Sequence, residues 1–154
     1  MRAIHKASFT RPWSLEVFQA ELAKPTHSGF ALKIEPVQAP EHKLIAFILF
    51  QLIGEEGEIL TLATRPDQQR KGYGRTLLAQ SLAALQKAHV SRVHLEVASS
   101  NLAARNLYEN CGFLKTGTRK GYYPLGDGQK DDAILMTKAL GGKADGISLL
   151  TSGS

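Results

Sequence analysis

The chain has 154 residues, 43% of them hydrophobic and 21% charged, with a formal net charge of +5 from 19 Lys and Arg against 14 Asp and Glu. That length predicts one domain with a single core, since a chain of this size buries roughly 70% of its unfolded surface and needs neither disulfide nor metal to fold. The lone cysteine, Cys111, excludes an internal disulfide, and the longest apolar run, Leu44 to Ile53, is about half of the ~20 residues that a membrane-spanning helix requires. The first residues carry no apolar signal-peptide core, so the expectation is a cytoplasmic protein with no membrane partner.

In chain order, Phe9 to Leu22 reads as a short amphipathic helix, with Ser14 as its N-cap, Leu15, Val17, Phe18 and Leu22 on one face, and a stop before Pro25. Strands follow at Phe30 to Ile34 and Lys43 to Ile53, the second apolar on both alternating faces, as in a strand covered on both sides. Gly54 and Gly57 mark a turn, and Glu58 to Thr64 is a strand that Arg65-Pro66 ends. Gly74 to His89 carries Leu77, Leu78, Leu82 and Leu85 at helical spacing. Arg92 to Ala98 alternates as a strand, Asn101 to Asn110 is helical, and Gly112 is placed to end it in a left-handed conformation. Phe113 to Thr118 and Ala133 to Leu140 complete the strands. Residues 1–140 thus form one domain, and 141–154, rich in Gly and Ser, a flexible tail. The element order predicts an α/β (α+β) arrangement with mixed strand directions rather than a doubly wound sheet.

Two stretches carry chemistry. In Leu60 to Leu78 a strand stops at a proline and a turn containing Gly72 and Gly74 feeds a long helix. Unpartnered amides and the helix dipole favour an anion there, and Arg70, Lys71 and Arg75 add cations; a plain tight connection uses the same residues. The turn is neither a Walker loop, which needs Gly-Lys-Ser/Thr, nor a dinucleotide fingerprint, which needs a third glycine where Leu77 stands. In the second stretch, Val93 to Phe113, Glu96 interrupts an apolar strand. A carboxylate in such surroundings must be paired, hydrated or protonated, so Glu96 is either a candidate general base or an ion-paired structural residue. Tyr108, on the following helix, can donate a proton or merely pack. Cys111 has no His or Asn arranged with it and reads as structural. His5, His27, His42, His89 and His94 show no metal-ligand spacing.

The run Gln69-Arg70-Lys71-Gly72-Tyr73-Gly74, followed by Leu95-Glu96-Val97, Asn101, Leu107-Tyr108-Glu109 and Gly112-Phe113, resembles the GNAT N-acetyltransferase superfamily. Pro12-Trp13-Ser14, Arg119-Lys120-Gly121-Tyr122-Tyr123-Pro124 and Asp132-Ala133-Ile134-Leu135-Met136 make it most similar to the bacterial ribosomal-protein-alanine N-acetyltransferases, over residues 9–140. The resemblance implies a GNAT fold, a mixed central sheet with helices on both faces, here without the first strand that such proteins usually place before the opening helix. It implies acetyl-CoA as cosubstrate and no metal. The backbone of Leu62, Ala63 and Thr64 would pair with the pantetheine arm, Gln69, Arg70, Lys71, Gly72, Tyr73, Gly74 and Arg75 would hold the pyrophosphate, and Asn101 would contact the cofactor. Glu96 would take the proton of the attacking amine, through water, and Tyr108 would protonate the departing thiolate.

The implied partner is the N-terminal α-amine of a protein, the N-terminal alanine of a small-subunit ribosomal protein. An α-amino group, with a pKa of roughly 7.7 to 8.0 against 10.4 for lysine, is the easier acceptor because the free amine attacks. The alternative is a small-molecule amine such as a polyamine, amino acid or aminoglycoside; the basic residues Arg119 and Lys120 argue against a polycation. A non-catalytic acyl-CoA sensor or an RNA-associated module is a third reading. Retention of Glu96 and Tyr108 opposes the former, and the lack of an aromatic stacking platform opposes direct nucleic-acid binding.

Overall fold

The structure, a computed structural model, describes residues 1, 2, 4, 13–34 and 43–141. Most of the expected tail, residues 142–154, and the start of the expected first helix, residues 9–12, lie outside the described residues. Among the described residues, helix α1 (Leu15–Ala23) is followed by β1 (His27–Ile34), β2 (Lys43–Ile53) and β3 (Glu56–Thr64). Helix α2 (Tyr73–Lys87), β4 (Arg92–Ala98), α3 (Leu102–Asn110), β5 (Leu114–Gly126) and β6 (Gln129–Ala139) complete the chain. Ser14 caps α1 as its sequence position suggests, its Oγ accepting from the Val17 N–H at 3.3 Å.

The strands form one mixed sheet in the order β1-β2-β3-β4-β6-β5. Its apolar centre is β2, where Ile45 to Phe50 are 0–3% exposed because both faces are covered. On one face Ile48 and Phe50 pack with Leu77, Leu78, Leu82 and Leu85 of α2 and with Tyr108 and Phe113. On the other, Phe47 meets Phe18 of α1 edge-on at 5.8 Å, with Ala63 and Ile4 beside it. Helices therefore lie on both faces, as the GNAT resemblance implies. Among the described residues no strand precedes α1, and no helix is long and apolar enough to cross a membrane.

Two expectations need correction. Gly57 is not part of the turn: the turn is Gly54-Glu55, with Gly54 at φ 59°, and Gly57 lies in β3 opposite Leu52. A Cβ at Gly57 would come within 3.3 Å of Leu52 and 3.4 Å of Val93, so glycine there lets β4 approach β3. The last two strands are also longer than the hydrophobic pattern suggested. They run on through the basic segment into a hairpin closed by Asp127 and Gly128, at φ 48° and 75°. Two consecutive positive φ values match the twist of a tight hairpin, and Asp-Gly supplies them.

One topological detail positions the site. The parallel pair β3/β4 is hydrogen-bonded only at Glu56↔Arg92, Gly57↔Val93 and Glu58↔His94. Beyond these, β3 continues to Thr64 paired with β2, and β4 to Ala98 paired with β6. The two strands diverge, leaving a wedge whose backbone groups have no ladder partner across it.

Candidate active site

The basic turn sits at the mouth of this wedge. After Pro66 a short 3₁₀ turn, Pro66–Gln68, leads to Arg70 at φ 59° and Gly72 at φ 84°. Arg70 is a non-glycine residue in the left-handed region, a local strain of the kind that tight functional turns hold. Gly72 is the N-cap of α2 and offers no capping side chain; the first intrahelical bond is Thr76 N–H to the Gly72 carbonyl at 3.0 Å. The amides of Tyr73, Gly74 and Arg75 therefore precede the helical ladder, at the positive end of a 15-residue helix with no acidic residue in its first turn. Arg70, Lys71 and Arg75 are exposed around them. This is the geometry of an anion cradle.

Gln69 closes the turn onto the strand before it. Its Nε2 donates to the Thr64 carbonyl at 3.3 Å, tying the turn back to the end of β3. Arg65 is held by Asp67 through two hydrogen bonds, at 2.9 and 2.6 Å, which leaves the positive charge of the turn to the residues after Gln69.

On β4, Val93, Leu95 and Val97 point into the main core, so the alternate residue Glu96 lies on the other face. Its side chain is 22% exposed and its Oε1 is 3.2 Å from Arg119 Nη2. The carboxylate in an apolar strand is thus paired, one of the three outcomes its position allows. Tyr123 of β5 lies within electrostatic reach of both Glu96 and Tyr108, and burial, with Glu96 and Tyr122 beside it, pushes its phenol up. The sequence offered Tyr123 only as part of a motif; its approach to both candidate catalytic groups depends on how β5 is folded.

Tyr108, on the core side of α3, is 7% exposed and packs edge-on against Phe113 at 5.7 Å. Burial, then Cys111 and Tyr123, raise its phenol well above the ordinary value, so it keeps its proton throughout the physiological range. It packs in the core and remains a neutral phenol. Burial likewise pushes the Cys111 thiol up, with Arg75 and Lys138 opposing, and Cys111 packs against the core. That environment suits a structural cysteine rather than a nucleophile.

Asn101 caps α3, its Oδ1 accepting from the Ala104 N–H at 3.1 Å, so its carbonyl is committed to the helix. The loop before it is anchored by Asp131 of β6, which the sequence did not single out. Asp131 is 8% exposed and accepts from Ser99 Oγ at 2.7 Å, Ser100 Oγ at 2.6 Å and Ser100 N–H at 3.2 Å. These bonds hold its carboxyl below the ordinary 3.8. A depressed carboxyl contributes stability that is complete above the unfolded value and is lost as pH falls through the folded one. Asp131→Asn is therefore expected to melt lower than the parent at neutral pH and to lose less on acidification; melting curves at about pH 3 and 7 read both effects. Equal acid sensitivity in the two proteins would remove the anchor role.

Among the described residues no cluster of His, Cys, Asp and Glu could hold a metal ion.

The site thus combines a wedge between diverging parallel strands, a basic helix N-terminus at its mouth and the carboxylate of Glu96 on β4 beyond the last shared rung. The pattern of the acetyltransferase (GNAT) family matches residues 1–113. The chain is 35% identical over 133 residues to the [ribosomal protein bS18]-alanine N-acetyltransferase of Escherichia coli strain K12, covering 86% of this chain and 84% of that protein. It is 36% identical over 96 residues to the same enzyme of Haemophilus ducreyi, covering 62% and 66% of the two chains. The crystal structure of the ribosomal-protein-S18-alanine N-acetyltransferase from Escherichia coli superposes with a TM-score of 0.80 at 32% identity, covering 93% of this chain and 88% of that one. The protein belongs to the GNAT family of N-acetyltransferases.

Proposed function

We propose that the protein transfers the acetyl group of acetyl-CoA to the N-terminal alanine of a small-subunit ribosomal protein, in the cytoplasm. The observation that carries this reading is the wedge between β3 and β4 with Glu96 on its β4 side, in a chain 35% identical to an alanine N-acetyltransferase over most of both lengths.

In this reading the backbone of Leu62, Ala63 and Thr64, on the part of β3 that has diverged from β4, lines the pantetheine arm. The amides from Arg70 to Arg75 and their cations hold the pyrophosphate, while Gln69 shapes the turn. Asn101 contacts the cofactor from the N-terminus of α3. The α-ammonium of the acceptor gives up a proton, through water, to Glu96. The free amine attacks the thioester carbonyl, the tetrahedral carbon expels the thiolate, which takes the Tyr108 proton and leaves as CoA thiol; the second proton of the nitrogen passes through water to the tyrosinate, giving the neutral amide, and Glu96 releases its proton to solvent. A thiol on the cysteine scale, with pKa near 8.5, is a fair leaving group without help. Tyr108→Phe is therefore expected to lower kcat about tenfold without abolishing turnover, read as thiol release under saturating acetyl-CoA. An unchanged kcat would leave Tyr108 with its packing role alone.

The test of function is thiol release from acetyl-CoA with an Ala-starting ribosomal peptide, its N-blocked twin, a peptide whose only amine is a lysine, and spermidine. Turnover confined to the free Ala N-terminus is the expected result. Turnover with spermidine or lysine alone overturns the ribosomal reading and leaves the family.

A further inference from the structure

We propose that Thr61 is a positioning residue for the first proton transfer: its hydroxyl, together with the second carboxylate oxygen of Glu96, holds the water that carries the proton of the acceptor amine. This rests on Glu96 being the base.

The two residues come level through a break in β3. The rungs that β3 shares with β4 end at Glu58↔His94. Beyond them β3 follows β2, where Phe50 pairs with Ile59 and Leu49 with Thr61, so Leu60 is an extra residue and the strand carries a bulge. Thr61 is therefore two rungs past Glu58, and Glu96 is two residues past His94 on β4. They stand at matching positions on the two sides of the wedge, where it begins to open.

The bulge also sets the face. Ile59 and, beyond the extra residue, Leu62 pack with the main core, whereas Ala63 lies with Phe47 and Phe18 on the other side of the sheet. Side chains alternate along a strand, so Thr61 shares the face of Ala63, which is the face that carries Glu96. In a regular strand Thr61 would lie with Ile59 on the face of α2, because a slip of one residue reverses every side chain that follows it.

Thr61 is 6% exposed, and its Oγ1 is buried with no hydrogen-bond partner among the described residues. Buried hydroxyls are seldom left in that condition, since an unmade hydrogen bond away from solvent is costly. Glu96 engages Arg119 through Oε1 at 3.2 Å, and its Oε2 has no partner among the described residues. A hydroxyl and a carboxylate oxygen, both unengaged, on one face and at one level of the sheet, are the polar partners that a bound water requires. The Thr61 O–H donates to this water, the water donates to Glu96 Oε2, and its remaining lone pair faces the acceptor ammonium. As the N–H proton passes to the water, the water's own proton moves to Glu96. The products are a neutral amine, a protonated carboxyl and an intact water, and Thr61 neither gains nor loses a proton.

The experiment measures thiol release with acetyl-CoA and an Ala-starting peptide for the parent, Thr61→Val, Thr61→Ser, Glu96→Gln and the variant carrying both Thr61→Val and Glu96→Gln, with acetyl-CoA binding titrated in each. Valine keeps the shape of threonine and removes the hydroxyl; serine keeps the hydroxyl. Thr61→Val is expected to lower kcat/KM for the peptide about tenfold with acetyl-CoA affinity within about twofold of the parent, and Thr61→Ser to stay within about threefold. In the Glu96→Gln background Thr61→Val is expected to cost less than about twofold, because residues that serve one step are not additive. A parental rate in Thr61→Val overturns the proposal. So does an equal loss in both backgrounds, which would make Thr61 independent of Glu96, and so does a loss of rate that accompanies lost acetyl-CoA affinity, which would make it a prop of the strand. Glu96→Gln at the parental rate removes the base and this proposal with it. The function reading is judged separately, by whether the parent acetylates the Ala N-terminus at all.

Discussion

Glu96→Gln is expected to lower kcat/KM for an Ala-starting peptide by about 100-fold, the lower range of what a positioned general base contributes, with the binding of acetyl-CoA unchanged. Glutamine has the same shape and reach but cannot take a proton from the acceptor. Its substitution leaves Arg119 without its counter-ion, and because Arg119 is half exposed the cost to folding stays below about 1 kcal/mol. The loss should therefore appear in turnover and in an altered pH profile, while the melting temperature hardly moves. A pH profile and a rate equal to those of the parent would remove Glu96 from the mechanism.

Gly74→Val is expected to raise KM for acetyl-CoA about 30-fold with a smaller change in kcat, since it disturbs the binding of the cosubstrate and not the proton transfers. A Cβ at Gly74 would stand 3.3 Å from Thr64 Oγ1 and 3.9 Å from Leu107 Cδ2. The first of these contacts is already tight, and valine adds two further methyl groups beside it, which press the first turn of α2 away from the end of β3. Overpacking of this sort costs about 1–3 kcal/mol, and the amides that form the anion cradle move with the turn. Titration of acetyl-CoA into the two proteins measures the effect directly. Equal affinities would place the pyrophosphate elsewhere.

Legibility differed along the chain for identifiable reasons. The strands Lys43–Ile53 and Arg92–Ala98 were readable to the residue, because a strand buried on both faces is continuously apolar and one buried on a single face alternates. The helix α2 was readable because its leucines recur at helical spacing. The outer half of β5 was not. Lys120, Gly121 and Pro124 belong to residue types depleted in strands, and they are tolerated there because β5 is at the edge of the sheet and broken by register shifts. The clue that was present, Gly126-Asp127-Gly128, is a hairpin turn whose meaning depends on recognising strands on both sides of it.

The site divides along the same line. Its local parts were determined by the sequence alone: the glycine turn before a long helix, the cations around it, the carboxylate in an apolar strand and the tyrosine on the next helix. Each is a matter of residues close in the chain, where backbone sterics and hydrophobic periodicity act directly. The tertiary structure decided the rest. The wedge exists because β3 and β4 share only their first rungs, the pairing of Glu96 with Arg119 requires β6 to lie between β4 and β5, and the anchoring of the β4–α3 loop by Asp131 joins residues far apart in sequence. Strand order and side-chain reach across it are set by how the whole chain buries its apolar surface, which no local pattern records.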